Sequence, residues 1–219
     1  MVSATTRSAT PSGTFQTVDL AAFDATRTAV GDDPTVGQGM FTTVTVWEDG
    51  TRARTTARSF SIETDEPKPL GGTDRAVDPM ELLLASLGTC LTIGWTTQAA
   101  KRGVDFRALR IEVNGDYDLR GYLDLDDAIR PGFSRIDYTV EVDSDAPLEV
   151  LDEIRRAAER TSPMSDNVAN GGADHRDPQP RIFAFRETRA GAFGPGITGG
   201  SLTPFTVFPG QTGSTTGDG

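Results

Sequence analysis

A long apolar segment with clear end signals, residues 78–103, constrains the fold of this 219-residue chain more than any other feature. Asp78 is a good helix N-cap, a proline follows it, and Glu81 completes a capping box. Gly103 is a typical residue just beyond a helix C-terminus. The turns between are apolar almost all round, so the sequence predicts a central buried helix. Gly88 and Gly94 are costly within a helix, so we expect another backbone to pack closely there.

Strands are predicted on both sides of this helix, because β-branched, aromatic and alternating apolar residues are typical of strands. They cover residues 40–47, 51–63, 109–113, 133–142 and 182–186, with a turn at 48–50. A second, amphipathic helix is predicted at about 147–160, with a buried stripe of Leu148, Leu151, Ile154 and Ala158. The order of strands, helix, strands, helix and strand predicts an α+β fold with mostly antiparallel sheets.

Composition limits the partners and the compartment. The chain has 32 acidic and 21 basic residues and a net charge of −11, which disfavours nucleic acids and anionic membranes as partners. With one cysteine, Cys90, and one histidine, His175, a Cys/His zinc site within one chain is excluded, and we expect no metal and no cofactor. Residues 1–10 contain no apolar signal segment, and the apolar run 82–95 is too short to cross a membrane. We therefore expect a cytoplasmic protein.

Three regions are expected along the chain. Residues 1–30 are rich in Thr, Ser and Ala and are predicted to be a flexible arm, with a short ordered piece near residues 18–23. Residues 31–188 carry the predicted helices and strands. Residues 189–219 are predicted to be a flexible tail, because they are rich in glycine and too poor in apolar residues to offset chain entropy.

Cys90 lies in the middle of the predicted long helix, and two interpretations are open. A free cysteine on an apolar helix is usually a small buried hydrophobe. A reactive thiolate would need a cation from another element, since the start of its own helix is distant. Arg52, Arg54 and Arg58 fall on one face of a predicted strand and are candidates, although a solvated strand face is the usual alternative.

Ser162 precedes Pro163, which favours an N-cap and first position of a short helix. The alternative is that the free N–H groups of that helix bind an anion. A serine nucleophile is disfavoured, since Asp166 is the one nearby base and a lone carboxylate activates serine poorly. The acidic runs around residues 124–127 and 174–177 are interpreted as solvated loops, because an EF-hand pattern is absent.

Two motifs together resemble those of the OsmC/Ohr family of organic hydroperoxide reductases. Residues 70–90 read LGGTD, then DPMELLLASLGTC, and residues 162–167 read SPMSDN where the family normally has Cys-Pro-Val-Ser. The resemblance covers about residues 36–170. It implies an OsmC-like fold and an intertwined homodimer, in which long central helices pack back to back and sheets from both chains wrap them.

The resemblance also implies roles for individual residues. Cys90 matches the cysteine that attacks the peroxide and becomes a sulfenic acid, and Ser162 occupies the place of the resolving cysteine. A serine cannot form a disulfide, so an external thiol would reduce the sulfenic acid. An arginine and a glutamate hold the thiolate in this family, and Arg54, Arg52 and Glu81 are the candidates. Helical geometry, however, turns Glu81 away from Cys90.

The resulting prediction is thiol-dependent reduction of a small organic hydroperoxide by a homodimer, with Cys90 as the reacting residue. The alternative is a non-catalytic OsmC-like protein that binds a small apolar ligand or a protein partner. The absence of a second cysteine motivates this alternative.

Overall fold

Two small antiparallel sheets and five helices make up residues 18–170, which a computed structural model describes. The helices are α1 (Leu20–Asp32), α2 (Pro79–Ala100), α3 (Leu119–Tyr122), α4 (Leu148–Arg160) and α5 (Pro163–Asn170). The strands are β1 (Val44–Asp49), β2 (Arg52–Ala57), β3 (Phe60–Thr64), β4 (Ala108–Asp116) and β5 (Arg135–Asp143). One sheet has the order β1-β2-β3 and the other pairs β4 with β5. The α+β class is confirmed, and the strand predicted at 182–186 lies outside the described residues.

The core forms where α2, α4 and the β4–β5 sheet meet. It consists of Trp95, Ala99, Phe106, Leu151, Ile154 and Ala158, with partly buried residues of β4 and β5 packed against it. The Trp95 and Phe106 rings lie 6.0 Å apart in a tilted arrangement. The buried residues of α2 recur at every fourth position, so they lie on one face of the helix. They are Leu87, Leu91, Trp95 and Ala99.

Helix α2 begins and ends as the sequence predicts. The Asp78 carboxylate accepts a hydrogen bond from Met80 N–H at 2.6 Å, and the Glu81 carboxylate accepts one from Asp78 N–H at 3.0 Å. The second of these bonds and the bond from Glu81 N–H to the Asp78 carboxylate together form the capping box. Gly103 has a φ of +64° just beyond the last turn, a conformation that glycine adopts without a steric penalty.

The close packing predicted at the α2 glycines is found at Gly94. A Cβ added there would lie 3.2 Å from Ala158 Cβ, so the backbone that approaches is α4 of the same chain. Other faces of α2 are exposed to solvent in the single chain. Ile93, for example, is 66% exposed. The predicted burial of α2 on all sides therefore remains a prediction about an assembly.

The buried stripe of α4 differs from the prediction at one position. Leu151, Ile154 and Ala158 are buried as predicted, but Leu148 is exposed and Ala157 is buried. At 100° per residue, Leu148 points about 120° away from Ile154, whereas Ala157 lies about 60° from it. The prediction of Leu148 in the stripe was wrong because its angular position was not weighed.

The single strand predicted at residues 51–63 is in fact a hairpin. The chain reverses at Arg58, which has a φ of +56°, so that β2 and β3 pair in antiparallel fashion. The Arg58 guanidinium carbon lies 5.1 Å from the centre of the Phe60 ring. The reversal pairs Ala57 with Phe60, so Phe60 and Ile62 lie on the face opposite to Arg54, whereas one continuous strand would place all three on the same face. The first strand also starts later than predicted, at Val44.

Helix α1 lies across the boundary expected at residue 30 between arm and domain. Asp19 caps it by accepting a hydrogen bond from Ala22 N–H at 2.9 Å, and no residue of α1 is buried. The Lys101 ammonium at the end of α2 lies 3.8 Å from the centre of the Phe23 ring. The predicted tail, residues 189–219, lies outside the described residues. Within residues 18–170, every helix is too short or too polar to cross a membrane.

Candidate active site

Cys90 and Ser162, which are 72 positions apart, meet where α5 packs against α2. The Cys90 sulfur lies 3.3 Å from the Ser162 hydroxyl oxygen, and either atom could be the donor. Cys90 is half-buried in the middle of α2, and Ser162 is only 5% exposed in the short link between α4 and α5. The side chain of Cys90 forms no other hydrogen bond within the described part of the chain.

Ser162 is the N-cap that the Ser-Pro sequence predicts. Its hydroxyl oxygen accepts a hydrogen bond from Ser165 N–H at 3.1 Å and one from the Ser165 hydroxyl at 3.0 Å. Its carbonyl oxygen accepts the Asp166 N–H at 3.1 Å, which begins the helical pattern of α5. The start of α2, the helix that carries Cys90, is distant from the sulfur. The start of α5 is the helix N-terminus that reaches the sulfur, through the Ser162 side chain.

Arg52 and Arg54 contact carboxylates on the β1–β3 sheet rather than the thiol. Both project from the same face of β2, and Glu48 lies between them, 2.9 Å from Arg52 and 2.6 Å from Arg54. Arg54 also pairs with Glu63 at 2.8 Å. The hydrogen bond to Glu48 raises the pKa of Arg54, followed by the charges of Glu48 and Glu63. Both guanidinium groups are paired with carboxylates, and within residues 18–170 neither forms a hydrogen bond to Cys90.

Glu81 is held in the capping box at the start of α2, as described above. It precedes Cys90 by nine residues, which corresponds to about 13 Å along the helix axis. The structure therefore brings together Cys90 and Ser162 among the five candidate residues and leaves the two arginines and Glu81 elsewhere in the single chain.

Asp65, which the sequence analysis did not single out, organises the approach to α2. It is 1% exposed and accepts hydrogen bonds from the hydroxyls of Thr51 at 2.6 Å and Thr73 at 2.5 Å. Three backbone N–H groups also donate to it, those of Glu66, Thr73 and Arg75. These bonds, led by that of Thr51, hold the Asp65 pKa well below its usual value.

The effect of the Asp65 network is to fix the loop between β3 and α2, which leads into the helix that carries Cys90. No periodic pattern surrounds Asp65, so sequence alone offered no signal beyond an acid placed directly after a strand. Next to it, burial and then the charge of Asp78 raise the pKa of Glu66.

The acidic run at residues 124–127 lies in the loop that follows α3. Within residues 18–170, no cluster of His, Cys, Asp or Glu side chains is arranged to hold a metal. Asp126 instead accepts a hydrogen bond from Ala128 N–H at 3.0 Å within its loop. The second acidic run, around His175, lies outside the described residues.

Comparisons with known proteins cover the segment that contains Cys90 and Ser162. Residues 72–173 match the family described as OsmC-like protein. Among curated proteins, none matches the sequence. An OsmC-like protein from Mycoplasma pneumoniae is 16% identical with a TM-score of 0.53, over 60% of this chain and 89% of that one.

Two further solved structures are similar to a comparable extent. An OsmC-like protein of unknown function from Vibrio cholerae is 11% identical with a TM-score of 0.51, over 59% of this chain and 94% of that one. A Psychrobacter arcticus protein named for osmotic stress and detoxification response is 20% identical with a TM-score of 0.50, over 59% and 89%. At these identities the likeness shows the fold. Cys90 and Ser162 both lie within the segment that matches the OsmC-like protein family, residues 72–173.

Proposed function

We propose that this protein reduces organic hydroperoxides, with Cys90 as its one redox-active thiol. The observation that carries the proposal is the 3.3 Å contact between the half-buried Cys90 sulfur and the Ser162 hydroxyl. It joins the two motifs that resemble those of the OsmC/Ohr family, with serine at the position of the second cysteine. The matched OsmC-like segment supports a role in this redox chemistry.

The reaction needs one thiolate and an external thiol. The Cys90 thiolate attacks one peroxide oxygen, so that an S–O bond forms, the O–O bond breaks, and the alkoxide takes up a proton to leave as an alcohol. A first external thiol then condenses with the Cys90 sulfenic acid, releasing water and forming a mixed disulfide. A second external thiol displaces Cys90 and leaves as the external disulfide. Since this cycle needs a supply of reduced thiol, we propose that it runs in the cytoplasm.

A homodimer is part of the proposal. Trp47, Phe60 and Ile62 share one face of the β1–β3 sheet and are all exposed in the single chain, as is Ile93 of α2. Apolar surface of this kind is typical of a face that another chain covers. A second copy of this chain would cover it in the arrangement that the family resemblance implies.

The direct test measures consumption of a small organic hydroperoxide in the presence of dithiothreitol. We expect turnover by the natural chain and only the background rate for Cys90→Ser. Thr89→Ala is the matched control, because the Thr89 hydroxyl donates to carbonyl oxygens of its own helix and does not contact the sulfur. Equal background rates for the natural chain and Cys90→Ser would refute the proposal.

A second test detects the sulfenic acid without any external thiol. In Ser162→Cys, a sulfur replaces an oxygen that lies 3.3 Å from Cys90 Sγ. We expect one equivalent of hydroperoxide to produce an intramolecular disulfide, seen by mass spectrometry as the loss of two hydrogens and of both free thiols. Survival of both thiols after peroxide treatment would contradict sulfenic acid formation at Cys90.

The second candidate is a non-catalytic OsmC-like protein that binds a small apolar ligand or a protein. The observation that favours it is the pairing of Arg52 and Arg54 with Glu48, which leaves Cys90 without a hydrogen-bonded cation within residues 18–170. Hydroperoxide turnover that depends on Cys90 would exclude this candidate.

A further inference from the structure

The hydrogen bonds around Ser162 determine which way its own proton points. A hydroxyl oxygen has two acceptor positions and one proton to donate. The two acceptor positions of Ser162 are taken by the N–H and the hydroxyl of Ser165, at 3.1 and 3.0 Å. What remains is the Ser162 proton, and the remaining neighbour within hydrogen-bond distance is Cys90 Sγ at 3.3 Å.

We propose that Ser165 is a positioning residue, which commits the Ser162 hydroxyl to donate its proton to the Cys90 sulfur and so favours the thiolate. Hydrogen bonds to a charged acceptor are stronger than those between neutral groups, and burial of Ser162 limits competition from water. Ser162 is then more than the replacement of a missing cysteine. The inference deepens the proposed function, in which the thiolate is the attacking group, but the hydrogen-bond direction can be tested without any peroxide.

The charged side chains on the elements packed against α2 pair with other residues or are exposed, and none of them forms a hydrogen bond to Cys90 within residues 18–170. On β4, Arg110 pairs with Glu112 and Glu141, and all three are exposed. On α4, Glu159 accepts hydrogen bonds from Arg155 and Tyr138, and Asp152 binds Arg155 and Arg156. On α5, Asp166 accepts the Asn170 amide at 2.7 Å. Also on these elements are the exposed side chains of Asp116, Glu149, Glu153 and Arg160. Within residues 18–170, the Ser162 hydroxyl is thus the one polar group that forms a hydrogen bond with the sulfur.

The experiment measures the rate of alkylation of the full chain by iodoacetamide as a function of pH. The chain has one cysteine, so the rate reports on Cys90 alone, and the uncharged reagent is insensitive to nearby charges. We expect Ser162→Ala to raise the midpoint of the pH profile by about one unit, since it removes a hydrogen bond to a charged sulfur. Ser165→Ala should raise it by about half a unit, because the Ser162 proton is then free to turn.

Ser165→Ala is the decisive variant, since it leaves every atom that contacts Cys90 in place and keeps the N–H that donates to the cap. Ser165→Thr retains the hydroxyl and should restore the profile of the natural chain, and Thr89→Ala should not change it. Ser162→Ala also loses a helix cap, so its fold is checked by circular dichroism. An unchanged midpoint in Ser165→Ala would overturn the inference. A shifted midpoint together with no peroxide turnover would uphold the inference and refute the proposed function.

Discussion

The two sheets of this protein are both antiparallel, but they differ in what covers them. The β4–β5 sheet turns one face to α2 and α4, and its residues Leu109, Ile111, Val140 and Val142 pack against the core. The β1–β3 sheet has an apolar face as well, with Trp47, Phe60 and Ile62, yet these residues stay exposed. The opposite face of the same sheet carries Glu48, Arg52, Arg54 and Glu63 in ion pairs.

In the single chain, helices α2 and α4 cover one face of the β4–β5 sheet. The apolar face of the β1–β3 sheet stays exposed. The core holds the half of the site formed by Cys90 and Ser162. The β1–β3 sheet carries Arg52 and Arg54, which the family resemblance offers only as candidates for the same chemistry. The Asp65 network joins the two regions, because its donors come from the start of β2 and from the loop before α2. We therefore expect stability and assembly to depend on different regions.

The largest effect should come from the core. Ile154 is fully buried between the helices, so Ile154→Ala is expected to lower the free energy of unfolding by about 2–5 kcal/mol through lost burial and a cavity. Urea unfolding followed by circular dichroism measures this. A loss below about 0.5 kcal/mol, the size typical of surface changes, would show that the α2–α4 core is not the main source of stability.

A smaller effect, concentrated in acid, should come from Asp65. Its pKa is lower in the folded protein than the ordinary value of 3.8, so its ionised form contributes stability at neutral pH. That contribution is lost as the pH falls below about 4, where the unfolded chain binds a proton and the folded chain resists it. Asp65→Asn should be less stable at neutral pH and should lose less stability on acidification, as measured by urea unfolding at several pH values.

Thr51→Val is the graded control for Asp65, because it removes only the strongest single donor. Its stability at neutral pH should lie between those of the natural chain and Asp65→Asn. Parallel pH profiles for the natural chain and Asp65→Asn would contradict the role assigned to this carboxylate.

The smallest effect on unfolding should come from the uncovered sheet. Phe60 is 61% exposed, so Phe60→Thr is expected to change the free energy of unfolding by less than about 0.5 kcal/mol at protein concentrations low enough to separate the chains. Its effect should appear instead as weaker dimer formation in analytical ultracentrifugation. Val44→Thr, at a similarly exposed position on the opposite face, is the matched control. Weakening by Val44→Thr alone would assign the interface to the other face.

The sequence predicted the ends of helices most accurately, because these depend on residues that are neighbours in the chain. The capping box at Asp78 and Glu81, the end of α2 at Gly103 and the N-cap at Ser162 are all found as predicted. Each depends on backbone groups within one turn, so neighbouring residues suffice to determine it.

What the sequence could not provide were the contacts between distant segments. The Asp65 network gathers donors from both sides of a loop, and no periodicity marks such an arrangement. The meeting of Cys90 and Ser162 was implied by the resemblance and not by spacing. The hairpin at Arg58 was missed because its turn has only two residues, and the change of phase between β2 and β3 was not recognised.

The short link between α4 and α5 restricts how this site could change. One residue there, Ser162, serves as the cap of a helix and as the neighbour of the only thiol. Replacing its oxygen by sulfur would add a resolving group but weaken a cap worth about 1 kcal/mol. In the proposed redox cycle, a helix cap and a resolving thiol would therefore compete for this one position, and the serine present here supplies the cap.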